Sequence, residues 1–595
     1  MKNHILGFLL LVSSLSSISQ DDKLVTFYEK SGFKATPSFD ETVAYCKQLD
    51  LASPFIQHTT FGTSPQGRKL PLLIINGSSR FDPASSRREG KLVLLIQAGI
   101  HPGEIDGKDA GFVFLRDMVV HQKYGGIPKN LTILFIPIFN VDGHERFSPY
   151  NRINQDGPEE MGWRTTAQNL NLNRDFLKAD SPEMQAWLKL YQQWLPDFFV
   201  DIHVTDGADY QYVSTYGLET DGNMDEGLTN WTREQLVPMM EQSMDAAGYP
   251  MFPYVMFRRW HDPRSGLRSS VAGPRFSQGY TAAQNRIGLL LENHSLKDYK
   301  TRVSSTYELL NFLCAFLDDQ AAVILELNTM ADLNTASAVF RSRPFPVNFS
   351  AGKDSIMVDF RGVEYDIEKS DLTGGDWFRY HADKPETFQV PYFNQQTPST
   401  FVNFPEAYII PTEWSEAIGK LALHGISYSI LDKPVKINVE SYLFTNIEYG
   451  KSSFEGRLQV TPTFDTFTEE REFPAGSAVI PTNQRTARVI AHMLEPASPD
   501  SYLQWGFFNA TFEMKEYFET YVMEEYARKM MAETPGIKEA FEQWKASNPE
   551  PAKDQWAQLE WFYFRSPYAD LKRNVYPIGR ILDQTFIDEI FKNNP

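Results

Sequence analysis

Two kinds of apolar pattern alternate along the first half of the chain. Continuous apolar runs of strand length occupy residues 70–76, 91–98, 131–139, 198–203 and 287–292. Between them, at 40–49, 106–119 and 182–195, apolar positions recur every three or four residues. The first pattern suits strands buried on both faces and the second suits amphipathic helices. The helix at 182–195 is the clearest: Ser181 stands as N-cap and Pro182 suits the first helical position. Met184, Trp187, Leu188, Tyr191, Trp194 and Leu195 share one face, and Pro196 stops the run. Residues 61–68 read as a hairpin turn. Strands alternating with helices predict an α/β layered domain with a mostly parallel or mixed sheet. Beyond residue 330 the texture changes to short alternating runs at 355–360, 407–411 and 436–442, and helical pattern returns at 412–423, 484–494 and 515–531. Residues 331–595 therefore read as a second, mixed α+β region that is β-rich at its start.

Length supports two units, because 595 residues exceed what one hydrophobic core organises, roughly 250–300. An apolar share of 42% with 22% charged residues describes a folded globular chain. Acidic residues outnumber basic ones by 76 to 57, a net charge of −19 that repels phosphate backbones, so nucleic acid is excluded as a partner. Lys2 and His4 precede a short apolar run at 5–12 and a Ser-rich stretch to Ser19, the layout of a signal peptide over 1–19. The expectation is an exported protein, periplasmic or secreted. The leading run is too short for a bilayer and no later run is long enough to span one, so no integral membrane span is expected. The two cysteines, Cys46 and Cys314, exclude a disulfide scaffold and a cysteine zinc site. They either pair in an oxidising compartment or stand as separate buried thiols.

Four segments carry candidate chemistry, and three of them close predicted strands. The run at 91–98 breaks at Gly99 and presents His101 and Glu104, an imidazole and a carboxylate three residues apart on a tight turn, both able to reach one cation. His203 ends the run at 198–203. Taken singly it reads as a satisfied core histidine; paired with the first segment it supplies a third metal ligand. The loop Gly162-Trp163-Arg164-Thr165, followed by Asn169-Leu170-Asn171-Leu172-Asn173-Arg174-Asp175-Phe176, offers guanidinium groups whose planar fork suits carboxylates. The plainer reading there is a surface salt bridge. Glu292 ends a buried strand, where an acid is costly unless paired or functional, and partial desolvation would raise its pKa toward that of a general base.

In this order and spacing the four segments resemble the zinc carboxypeptidase family related to pancreatic carboxypeptidase A, over about residues 24–325. The likeness includes Phe61-Gly62-Thr63-Ser64-Pro65-Gln66-Gly67-Arg68 and Asn140-Val141-Asp142-Gly143, which is similar to the family's Asn-Pro-Asp-Gly turn. The resemblance implies an α/β/α layered catalytic domain with a mixed, mostly parallel sheet over 24–330, in an exported bacterial-type member with a long C-terminal extension. It implies that His101, Glu104 and His203 hold a single Zn2+ per chain and that Glu292 is the catalytic glutamate. Arg164 matches the arginine that steadies the oxyanion, Asn173 and Arg174 the pair that holds a terminal carboxylate, and Tyr280 the mobile tyrosine that closes over substrate. Asn171 stands where the family often has an aspartate behind the first zinc histidine. The implied activity is hydrolysis of the C-terminal peptide bond of peptides with a free terminal carboxylate, by a zinc-activated water with a glutamate base. The same zinc site also suits a cell-wall peptide amidase or an acyl-amino-acid deacylase. A reading of another class is a non-catalytic peptide- or glycan-binding protein. Specificity is expected to depend on a residue between Tyr280 and Glu292, and residues 331–595 are expected to cap the catalytic domain and narrow its cleft.

Overall fold

A computed structural model describes residues 24–593; the expected signal peptide at 1–19 lies outside the described residues. The first ten strands are β1 (Ile56–Thr63), β2 (Lys69–Asn76), β3 (Leu92–Ala98), β4 (Leu131–Ile136), β5 (Phe198–Thr205), β6 (Ser214–Gly217), β7 (Met251–Pro253), β8 (Met256–Arg259), β9 (Asp262–Arg268) and β10 (Ile287–His294). Eight of them form one mixed sheet in the order β1-β2-β4-β3-β5-β10-β6-β7. Its centre, β4-β3-β5-β10, is parallel, while β1, β2 and β6 join it antiparallel. From β3 the chain goes to β4 on one side and then to β5 on the other. Ligand sites in open α/β sheets lie beyond the C-terminal strand ends at such a reversal.

The continuous apolar runs arise because both faces of this sheet are covered. Along β3, Val93 and Leu95 pack with Trp187, Leu188 and Tyr191. Leu92, Leu94 and Ile96 point the other way, to Phe112, Leu115, Leu309 and Leu313, as the two-residue period of a strand requires. The helix Pro182–Trp194 begins where expected, with the Ser181 hydroxyl accepting from the Met184 N–H, and it ends on Leu195 in the left-handed region at φ 43°. β4 stops earlier than its apolar run. The N–H groups of Phe139 and Asn140 turn to the carbonyls of Ala98 and Gly99, drawing this segment up to the loop after β3.

The expected boundary at 330/331 is corrected. It falls inside a 38-residue helix, Tyr299–Ala336, whose buried side chains Leu309, Leu313, Leu317, Ile324 and Ala331 continue one stripe across it. The region beyond is not a separate unit. Tyr408, Ile410, Ile480, Ile490 and Tyr502 share one core with Trp187 and Leu95, and β9 pairs with the strand Asp376–Phe393. The expected β-rich, mixed character holds: a six-stranded antiparallel sheet includes Ala407–Ile410 and Val435–Tyr449. Cys46 and Cys314 are separate buried thiols. Among the described residues no helix is long and apolar enough to cross a membrane.

Candidate metal centre and cleft

β3 ends at Ala98, and Gly99 turns the chain at φ +67°, with Ile105 and the Ile138 backbone too close for easy accommodation of a side chain. The Glu104 N–H then bonds the His101 carbonyl at 2.8 Å, which closes a turn. A Cβ on Gly103 would lie 2.5 Å from Arg152, so glycine there lets that arginine approach. His203 comes from β5, two residues before its end, and sits beside Glu292 of β10 in the parallel register.

The Nδ1 atoms of His101 and His203 lie 3.1 and 3.0 Å from the same oxygen, Glu104 Oε2. On the far side of each ring, Nε2 is 2.9 Å from an acceptor: Asn171 Oδ1 for His101 and Asp201 Oδ2 for His203. Asn171 Oδ1 also accepts the Asn173 N–H at 2.9 Å, which identifies it as the oxygen. Each imidazole therefore donates from Nε2 and presents Nδ1 to the Glu104 carboxylate, where a cation seated between the three groups would take both Nδ1 lone pairs and the anion. Their ligand atoms all fall within 4.8 Å of one another and the three residues are buried. Four ligands at about 2.0–2.1 Å in a tetrahedron stand about 3.3 Å apart, near the spacing seen, and two imidazoles with one carboxylate are a catalytic zinc donor set. The residues fit zinc.

The charges around this centre are arranged to hold a cation. Burial opposes the ionised form of Glu104, but His101 and Arg152 outweigh it and keep the carboxyl well below its usual range. Burial lowers His101 to about 4, so it stays neutral. For His203 burial is overcome by Asp201, which makes this imidazole more basic than usual. Arg152 and Arg164 both donate to Glu104 Oε1, at 2.6 and 2.9 Å. Arg152 was not singled out from the sequence, because a lone arginine in a polar loop has no distinguishing signal.

A cavity of about 880 Å³ opens from the metal residues and is also lined by Arg164, Asn173, Arg174 and Glu292. Among the described residues Glu292 Oε2 has no hydrogen-bond partner. Burial pushes this carboxyl up to about 8, against His203 and with Glu104 and Asp201 adding to the rise. The Arg174 guanidinium lies 4.5 Å over the Phe276 ring and donates to the Asn173 carbonyl at 2.7 Å. Among the described residues it makes no ion pair, so it faces the cavity with charge unspent. Burial and the nearby Arg164 push it below its usual value.

The assignment of Tyr280 to this cleft is corrected. Its side chain is 0% exposed, packed in tilted and edge-on contact with Phe176, Trp187 and Tyr191, with its hydroxyl bonded to His424 and Gln284. The helix Ser277–Ala283 turns this residue toward the sheet. Tyr254, 41% exposed, lines the cavity instead. Burial, with the Glu292 charge, pushes its phenol up to about 12. It lies after β7, far in sequence from Glu292. The C-terminal region also reaches the site: Tyr392 and Asn394 line the cavity wall, and Glu455 accepts the Asn171 N–H at 2.8 Å.

With this geometry in view, comparison with known proteins is informative. Residues 42–226 match the model of the zinc carboxypeptidase family. The chain is similar to Carboxypeptidase 2 of Trichophyton rubrum, 24% identical over 494 residues that cover 79% of this chain and 84% of that protein. It is also similar to Carboxypeptidase 2 of Trichophyton tonsurans, at 23% over 498 residues, with the same coverage. Among solved structures, a metallo-carboxypeptidase from Burkholderia cenocepacia is 17% identical with a TM-score of 0.35, covering 48% of this chain and 70% of that one. Carboxypeptidase A from Helicoverpa armigera is 17% identical with a TM-score of 0.36, covering 49% and 74%.

Proposed function

We propose that the chain, whose residues 42–226 match the zinc carboxypeptidase family model and which is similar to fungal carboxypeptidases, is a metallocarboxypeptidase that releases the C-terminal residue of peptides ending in a free carboxylate, with His101, Glu104 and His203 as the zinc ligands and Glu292 as the base. One observation carries this reading. A single cavity brings the three candidate ligands together with an unpartnered carboxylate, Glu292, and an unpaired guanidinium, Arg174.

Zinc bound there supplies a Lewis acid, which acidifies water and polarises the scissile carbonyl. The protein's own groups do the rest. Arg174, helped by Asn173, takes the terminal carboxylate through two parallel hydrogen bonds, which fixes the last peptide bond at the metal end of the cavity. Glu292, which burial makes more basic than an ordinary carboxylate, is poised to accept a proton from water at its free Oε2 and return it to the leaving amine. Arg164 donates to the oxyanion, a contribution typically worth about 3–4 kcal/mol for one well-placed donor. Tyr254, at the mouth, takes the covering role that the sequence had suggested for Tyr280.

Glu292→Gln keeps the shape and removes the base. Purified variant and parent are expected to hold the same zinc, about one per chain by elemental analysis. The variant should lose at least about 1,000-fold in kcat on a peptide with a free C-terminus, at the upper end of what a positioned acid–base group contributes together with its charge. Undiminished turnover would sink the assignment.

A further inference from the structure

Beyond the metal residues the cavity runs along β10 and β6, and its lining changes character. In the antiparallel register Glu292 faces Thr215 and Leu290 faces Gly217, after which the chain continues to Leu218 and Glu219. Glu219 thus stands two residues past the end of β6 and four beyond Thr215, at most roughly 13 Å further along the strand direction at about 3.3 Å per residue. It lines the cavity but is only 6% exposed. Its two oxygens share one donor, the Ala272 N–H, at 3.1 Å each. Among the described residues it has no cation partner. Arg233, the nearby guanidinium, is committed to Asp221 and to the Thr220 carbonyl. Burial leaves Glu219 pushed up to about 8, as expected for a desolvated carboxyl that no positive charge offsets.

The roles proposed above for Asn173, Arg174 and Glu292 decide what can enter this part of the cavity. With the terminal carboxylate on Arg174 and the last peptide bond at Glu292, the side chain of the final residue points along the remaining space. We propose that Glu219 is the specificity-determining residue of this enzyme, and that it selects a C-terminal lysine or arginine by pairing with the side-chain cation. A long cationic side chain is required, because the carboxylate lies at the far end and the wall on the way is formed by Leu290, Gly217 and Leu218. Gly217 presents no side chain to this wall, and a Cβ there would press within 3.3 Å of Leu290. Ser269 and Ser270 line the same end and suit a guanidinium or ammonium. A cationic side chain would stabilise the ionised form of this desolvated carboxyl, and a neutral residue offers nothing in its place, so discrimination works by the attraction that only a cation supplies.

This rests on the reading of Glu292 and Arg174 as base and clamp, and a peptide series separates the two. Peptides identical except for a last residue of Arg, Lys, Leu, Phe or Glu are digested by the zinc-loaded full chain, and kcat/KM is compared. Arg and Lys are expected to exceed Leu and Phe by on the order of 100-fold. In Glu219→Gln the ratio of Arg to Leu should collapse by a similar factor. Glutamine can still accept the Ala272 N–H, so the local fold is kept, and retained zinc verifies it. If the parent cleaves Leu or Phe peptides as well as Arg ones, the specificity assignment is overturned while the carboxypeptidase mechanism stands. If none of the peptides is cleaved, both fall. The parent's profile decides even where the variant fails to fold.

Discussion

Asn171 shows how far a single side chain can be judged from sequence. As an asparagine in place of a buttressing aspartate it looked like a weak point, and it indeed meets His101 Nε2 at 2.9 Å with a neutral oxygen. The other candidate ligand histidine, His203, has the charged alternative, Asp201. Outer partners of this kind tune metal affinity by about 10–100-fold. Asn171→Asp, which keeps an oxygen for both His101 and the Asn173 N–H, is therefore expected to tighten zinc by roughly 10-fold. Competition with a chelator at neutral pH measures this, and unchanged affinity would mean that Asp201 alone sets the basicity of the centre. Tyr280 shows the opposite. Its position near Glu292 in sequence suggested a cleft residue, but a tyrosine's exposure depends on which way its helix faces, and that is decided by the packing of Trp187 and Tyr191 beneath it.

Among elements, the helix Pro182–Trp194 was the most legible, since cap, proline and apolar stripe all agreed. Its first turn nevertheless holds something the pattern does not announce. Glu183 is 0% exposed, and neither carboxylate oxygen has a hydrogen-bond partner among the described residues. Burial pushes this carboxyl from 4.5 up to about 7, with Asp142 and Asp175 adding to the rise. Below pH 4.5 the group is neutral whether the chain is folded or not, so it carries no penalty. As pH rises from there the unfolded chain ionises first, and stability is lost until the folded group also ionises near pH 7. Glu183→Gln removes this dependence. Its gain in Tm over the parent should be small at pH 4.5 and larger at pH 8, where the difference is on the order of 3 kcal/mol at most. A gain independent of pH would show that the carboxyl is ionised throughout.

For the whole molecule, the decisive fact is that the two regions expected from chain length and apolar pattern share one core. The face of the main sheet that carries Leu95 and Trp187 is closed by Tyr408, Ile480, Ile490 and Tyr502, and the cavity wall borrows Tyr392 and Asn394. A chain ending at residue 330 would cut the helix Tyr299–Ala336 and strip that face. It is expected to be insoluble or to lack a cooperative unfolding transition, which expression and thermal melting would show; a soluble, active fragment would contradict the shared core. The sequence by itself determined the α/β alternation, the places of the main strands and the set His101, Glu104, His203, Glu292, Arg164, Asn173 and Arg174 that lines one cavity. These were legible because strand burial, helix periodicity and ligand chemistry are written within a few residues of one another. Only the tertiary structure decided that the boundary at 330 is not one, that Arg152, Asp201 and Tyr254 attend the site while Tyr280 does not, and that Glu219 faces the cavity between Leu290 and Ala272. Each of those depends on segments tens to hundreds of residues apart being brought together by the sheet, and no local pattern records which strand will lie beside which.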